Sequence, residues 1–156
     1  MNTYKLILNC TFISFFVVSN HSCTTNKSYI SDETSFLEEI SIKEIQSGYQ
    51  NNRYTVNDIV SAYIDRINSI DQSGPNLNSV LTVNPDALII ADSLDKILQN
   101  EKIIKNPLFG IPVLLKDNID THDKMPTTAG SRILKNAFPI KDSWVAKKLR
   151  DAGAII

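Results

Sequence analysis

The sequence contains little cysteine, little glycine and no excess charge, and each shortage excludes a class of protein. Cys10 and Cys23 are its only cysteines and both lie within the first 23 of 156 residues, so the body of the chain has no disulfide scaffold or cysteine-ligated zinc site. The 16 basic residues are matched by 17 acidic ones, which provides no electrostatic basis for a nucleic-acid partner. With five glycines, six prolines and 42% hydrophobic residues, the composition is that of a globular protein.

Sequence motifs for metals and phosphates are also missing. The two histidines, His21 and His122, lie far apart, and no spacing typical of a metal site is present. No glycine-rich phosphate loop occurs either. We therefore predict no metal site and no cofactor.

The first 23 residues differ from the rest of the chain and are typical of an export segment. Lys5 and the amino terminus supply positive charge, and the 13 residues from Leu6 to Val18 include ten apolar ones. This length fits the hydrophobic region of a signal peptide and is short for a transmembrane helix. We predict a signal peptide over residues 1–23, a polar linker over residues 24–35, and export to the periplasm or cell envelope.

Two processing routes are open at the end of this segment. Ser22-Cys23 resembles a lipoprotein processing site, in which the Cys23 thiol is lipidated after cleavage and anchors the protein to a membrane. Asn20 and His21, however, stand where small or aliphatic residues usually precede such a cysteine. The alternative is plain cleavage near Ser19 or Ser22, which leaves Cys23 without a role.

The body of the chain alternates between predicted helices and predicted strands. Four helices are indicated by capping residues that precede apolar positions spaced by three and four. The predicted N-caps are Ser41, Thr55, Asn84 and the pair Asp142-Ser143. Residues 78–83 and 113–115 have strand character, and residues 154–156 begin another apolar run. This alternation predicts an α/β fold.

Lys116 is the first candidate for chemistry. It directly follows the apolar residues 113–115, so its ammonium would emerge at the edge of a core. Burial disfavours the charged form and lowers the pKa of a lysine, which can then act as a general base near neutral pH. From the residues alone, a solvated lysine at the end of a strand is the favoured alternative.

The segment 127–131 is the second candidate, because it gathers hydroxyl groups and backbone amides around a glycine. Its residues are Thr127, Thr128, Ala129, Gly130 and Ser131. Free donors of this kind can line a site for an anion or an oxyanion. A simple polar turn is the alternative, and the residues alone favour it.

Several segments in register resemble one known family. Residues 107–120, which read PLFGIPVLLKDNID, closely resemble the strand-to-loop segment of the amidase signature family. The resemblance covers about residues 36–156. Its further segments are 55–71, 77–83, 85–87, 126–131 (PTTAGS) and 149–156 (LRDAGAII).

The resemblance implies a hydrolase of carbon–nitrogen bonds with a Ser-cisSer-Lys triad, acting on a small-molecule or peptide amide. The implied architecture is an α/β/α fold in which helices flank a mixed sheet. Lys116 matches the catalytic lysine of the family, which would deprotonate the nucleophilic serine through a bridging serine. For Thr127, Thr128, Gly130 and Ser131 the resemblance implies a loop near the active site, without an assigned catalytic role.

One departure from the family concerns the two serines. The family's Gly/Ser-rich segment follows the region that matches residues 152–156, and the 156 residues do not contain it. Ser131 belongs to a different motif and cannot replace the nucleophile. We therefore expect residues 36–156 to be the truncated, N-terminal part of an amidase domain that is inactive alone.

Two alternative functions compete with this one. A short envelope protein, derived from an amidase but without catalysis, would act as a binding or interaction module. A role within a complex for tRNA-linked glutamine formation is disfavoured, because an export segment conflicts with a cytosolic partner. The residues do not specify the oligomeric state.

Overall fold

The computed structural model describes residues 32–156, which form helices joined by irregular segments. The four α-helices are α1 (Ile42–Gln50), α2 (Val56–Arg66), α3 (Ala87–Glu101) and α4 (Trp144–Asp151). Short 3-10 helices span Asp32–Leu37 and Arg132–Leu134, and α2 continues into a π-helical segment over Ile67–Asp71. None of the helices in this part of the chain is long and apolar enough to cross a membrane. The predicted signal peptide, Cys23 and residues 24–31 of the predicted linker lie outside the described residues.

The starts of α1 and α2 confirm the predicted caps. Ser41 Oγ accepts a hydrogen bond from the Glu44 amide at 3.2 Å, and the Glu44 carboxylate accepts one from the Ser41 amide at 2.8 Å. The same reciprocal pair joins Thr55 and Asp58. These bonds satisfy amides that a helix start leaves free, so each boundary depends on four consecutive residues. Ser143 caps α4 in the predicted place by accepting from the Ala146 amide.

The start of α3 differs from the prediction. Asn84 is not the N-cap; Asp86 takes that position, without a side-chain capping bond. The Oδ1 atom of the buried Asn84 accepts from the Asp86 amide, and its Nδ2 donates to the carbonyl of Ile156, both at 3.0 Å. Asn84 therefore closes a turn ahead of the helix, and this delays the start of α3 to Ala87.

The two predicted strands do not form a sheet within residues 32–156. Residues 78–83 have no strand partner there, and the amides of Ser79 and Val80 instead donate to the carboxylate of Asp71 at 2.8 and 3.1 Å. Pro112 and Ile155 form a parallel bridge, the only isolated one in the described range. A strand needs neighbours for its backbone donors and acceptors, and residues 113–115 find such a neighbour only at their start.

Backbone hydrogen bonds around this bridge join residues 108–113 to residues 152–155. Four of them, all of 2.8–2.9 Å, run from Leu108 N to Ala152 O, Gly110 N to Gly153 O, Val113 N to Ile155 O and Ile155 N to Ile111 O. Gly153 has a φ of +92°, and a Cβ atom there would lie 2.8 Å from Phe109 Cα. The close approach of the two segments therefore requires glycine at this position.

The hydrophobic core lies where α1, α2 and the first half of α3 meet this parallel pairing. Its buried members are Leu37, Ile45, Tyr49, Val56, Ile59, Val60, Ala87, Ala91, Phe109, Ile111 and Ile155. Helix α2 packs against α3 and against the 3-10 helix Asp32–Leu37. The pairing thus contributes apolar side chains to the same core that the helices bury.

Tyr49 links the helices to the paired segments. Its buried hydroxyl donates a hydrogen bond to the carbonyl of Gly110 at 2.8 Å. Burial raises the pKa of the Tyr49 phenol far above its ordinary value, so the hydroxyl remains a donor at neutral pH. Gly110 has a φ of +70° and packs against the side chain of Val56, which leaves no room for a Cβ atom.

We expect Tyr49→Phe to lower the free energy of unfolding by about 1–3 kcal/mol, because the buried carbonyl of Gly110 loses its hydrogen-bond donor. Urea denaturation followed by circular dichroism measures this loss. Tyr54→Phe is the matched control, since the Tyr54 hydroxyl makes no hydrogen bond in the described structure. The control should change the free energy of unfolding by less than about 0.5 kcal/mol. Equal losses in the two variants would contradict the assigned role of Tyr49.

Candidate functional site

Lys116 lies three residues beyond the parallel pairing, on a surface that the described residues leave uncovered. The side chain of Leu114 is 71% exposed, and Lys116 is exposed as well. The prediction that residues 113–115 form a buried strand is therefore wrong for this part of the chain. The Lys116 ammonium is likewise not buried, because no described segment packs over this face.

Asp117, the next residue, is the centre of a hydrogen-bond cluster. Its half-buried carboxylate accepts from the Thr128 amide at 3.1 Å, from the Thr128 hydroxyl, and from the Gly130 amide at 3.2 Å. Its backbone carbonyl accepts from the Ala129 amide at 3.0 Å. The bonds from Thr128 hold the pKa of the Asp117 carboxyl below its ordinary value, and the positive charge of Lys116 acts in the same direction.

The donors to Asp117 come from a tight turn over residues 128–131. The Ser131 amide closes the turn by donating to the Thr128 carbonyl at 2.8 Å. The central residues Ala129 and Gly130 have φ values of +48° and +74°. Positive φ at both central positions is typical of a type I′ turn, and it is unfavourable for a residue with a Cβ atom, such as Ala129.

Free amides that could line an anion site are therefore not observed in the segment 127–131, and the structure agrees with the alternative of a simple polar turn. The amides of Thr128, Ala129 and Gly130 all donate to Asp117, and the Thr127 amide donates to the Ala137 carbonyl at 2.9 Å. This loop does bind an anionic group, but that group is the chain's own carboxylate. These backbone amides have no free hydrogen left for an external oxyanion. The position of the loop relative to an active site stays a prediction.

A cavity of about 310 Å³ opens beside this turn. Asn118, Asp120 and Thr127 contribute polar groups to its lining, and Leu134, Phe138 and Pro139 contribute apolar ones. Such a mixed lining suits a ligand that carries both a polar group and an apolar part.

Arg150 on α4 fixes the chain segment beyond Lys116. Its guanidinium donates to the carboxylates of both Asp142 and Asp123, and Asp142 also accepts from the His122 amide at 2.7 Å. The bond from Arg150 holds the pKa of the Asp142 carboxyl below its ordinary value. Neither this cluster nor the Asp117 cluster was predictable from the sequence, because both join loop residues at irregular spacings. The one available signal was an aspartate next to the candidate lysine.

Comparisons with known proteins agree on one family. The family model described as Amidase matches residues 58–156. A protein of Schizosaccharomyces pombe named as an amidase is 43% identical over 120 residues, which make up 77% of this chain and 20% of that protein. One component of the glutamyl-tRNA(Gln) amidotransferase of Alkaliphilus metalliredigens is 40% identical over 122 residues, 77% of this chain and 24% of that one.

Solved structures lead to the same group of proteins. The native peptide amidase from Stenotrophomonas maltophilia is 37% identical to this chain and superimposes with a TM-score of 0.71. The match covers 75% of this chain and 23% of the peptide amidase. The chain thus spans about a quarter or less of the length of the relatives it matches.

The lowered pKa of Asp117 leads to a prediction about pH. The contribution of this carboxylate to stability is fully present above its unfolded pKa of about 3.9, and is lost as the pH falls through the lower folded pKa. The NMR shifts of the Thr128 and Gly130 amides should therefore stay constant from pH 7 to about pH 4 and change only below that. The Gly110 amide, which is bound to the Gly153 carbonyl, serves as the control and should not follow this titration. A transition of the two turn amides above pH 4 would contradict the hydrogen-bonded state of Asp117.

Proposed function

The chain belongs to the amidase family, and we propose that it is the N-terminal part of an enzyme that hydrolyses the carbon–nitrogen bonds of amides. The observation that carries the proposal is the family match over residues 58–156, which includes Lys116 and the whole of the segment 107–120. The chain spans only 20% and 24% of the lengths of the two curated relatives named above, so the activity, substrate and partners of the whole protein all belong to the proposal.

In the proposed reaction Lys116 acts as the base. Through a bridging serine it takes the proton of the nucleophilic serine, whose oxygen then attacks the carbonyl carbon of the amide. The carbon–nitrogen bond breaks, the amine leaves with that proton, and water then releases the acid from the serine. A lysine performs this role only in its neutral form, which burial favours. Because Lys116 is exposed among residues 32–156, we propose that further parts of an amidase domain cover it in the complete enzyme.

The two serines have no counterpart in these 156 residues, so we propose that the chain alone is inactive. The parallel pairing of residues 108–113 with residues 152–155 would be the start of the mixed sheet in the α/β/α fold. The TM-score of 0.71 with a peptide amidase supports this placement. The cavity beside the turn 128–131 would then receive part of a small-molecule or peptide amide.

Export is a separate part of the proposal, and it rests on residues 1–23. We propose that these residues direct the protein to the periplasm or the cell envelope, and that cleavage before Cys23 removes the hydrophobic part there. In cells grown with a radioactive fatty acid, labelled protein that loses its label in Cys23→Ser would support the lipoprotein route. Unlabelled protein whose mature terminus lies near residue 19 or 22 would support plain cleavage, and retention of residues 1–23 would contradict export.

A hybrid enzyme tests the role of Lys116. In the hybrid, residues 36–156 replace the matching part of the Stenotrophomonas maltophilia peptide amidase. We expect Lys116→Met to lower kcat by at least about a thousand-fold, because the base is lost. Ammonia released from a peptide amide measures the rate. Lys135→Met removes an exposed ammonium that has no ion pair in the described structure, and it should keep the parental rate.

Two outcomes would contradict the proposal. A parental rate in Lys116→Met would remove the base from the mechanism. Release of ammonia by the 156-residue chain alone would show that these residues hold a complete catalytic set. The chain alone is expected to release none above the buffer rate.

A further inference from the structure

We propose that Asp117 is a positioning residue of the amidase site, which holds the turn 128–131 against the backbone that carries Lys116. This inference rests on the proposed function, because the role of Lys116 gives the contact its importance. The residues of the turn that bond to Asp117 lie 11 to 13 residues beyond it along the chain, so the contact is a tertiary one.

The bonds to Asp117 leave the two segments little freedom to move separately. The carboxylate binds residues 128 and 130, and the backbone carbonyl binds the residue between them. On the other side of Lys116, the Val113 amide is bound to the Ile155 carbonyl at 2.8 Å. The Lys116 carbonyl also accepts from the Ile119 amide at 2.9 Å. The lysine backbone therefore lies between two anchored points, the parallel pairing before it and Asp117 after it.

The shape of the turn explains why a carboxylate is needed. Ala129 adopts a positive φ that is unfavourable for it, so the turn depends on bonds that compensate. Two amides and one hydroxyl point at the two oxygens of Asp117. Asparagine has the same shape but presents an NH2 group in place of one oxygen, and this group would face a donor instead of accepting from it.

Hydrogen exchange in the 156-residue chain tests the contact itself. At pH 7, Asp117→Asn should speed exchange of the Thr128 and Gly130 amides by at least about ten-fold. The Gly110 amide should keep its protection in the same variant. Asp65→Asn is the matched control, because it removes the same charge from an exposed side chain of α2 that forms no ion pair within residues 32–156. Unchanged exchange of the two turn amides in folded Asp117→Asn would overturn the proposal.

Kinetics in the hybrid amidase separate positioning from stability. At a temperature where circular dichroism shows both proteins folded, Asp117→Asn should lower kcat by at least about ten-fold and change KM by less than about three-fold. Thr128→Val, which removes one donor, should also lower kcat, whereas Thr128→Ser keeps the hydroxyl and should restore it. A parental kcat in folded Asp117→Asn would overturn the positioning role.

The outcomes for Asp117 and for Lys116 are distinguishable. Full activity of Lys116→Met overturns the proposed function and the positioning role together, while the exchange rates still report on the contact. Loss of activity in Lys116→Met together with a parental kcat in Asp117→Asn overturns the positioning role alone. If Asp117→Asn does not fold, Thr128→Val takes its place under the same two criteria.

Discussion

The parallel backbone pairing of residues 108–113 with residues 152–155 is the contact on which the rest of the structure depends. It connects the end of α4 to the segment that leads into Lys116. The side chains of Ile111 and Ile155, one from each paired segment, are buried in the hydrophobic core. Tyr49 ties the same segment to α1 through a buried hydrogen bond. Gly153 permits the close approach, since any Cβ atom there would meet the backbone of Phe109. The place of the candidate lysine thus follows from contacts made before and after it in the chain.

The sequence predicted local features well and partner-dependent features poorly. The caps at Ser41, Thr55 and Ser143 are confirmed, because each depends on four neighbouring residues. Asn84 is of a residue type favoured at N-caps, but its side chain donates to the Ile156 carbonyl. No local pattern in the sequence predicts this contact. The strands predicted at 78–83 and 113–115 have no ladder among residues 32–156, because the pairing of a strand depends on its neighbours.

The candidate site shows the same division. The residues of the segment 127–131 do gather hydrogen-bond donors, but Asp117 accepts four of them, and this tertiary contact leaves no repeat or spacing in the sequence. The family itself was predictable from several segments in register, and the match over residues 58–156 confirms it. The roles of Lys116 and of residues 127–131 stay predictions, since residues 32–156 do not bring either of them against a nucleophile.

The backbone amides of the turn 128–131 all donate to acceptors within the chain. The turn therefore suits a supporting role better than direct contact with substrate, and Lys116 remains the candidate for the chemistry. A crystal structure of the hybrid amidase is the most direct test of that assignment. Lys116 should be buried there, with its Nζ about 2.6–3.2 Å from a serine hydroxyl. An Nζ that stays in solvent, with no serine hydroxyl within reach, would contradict it.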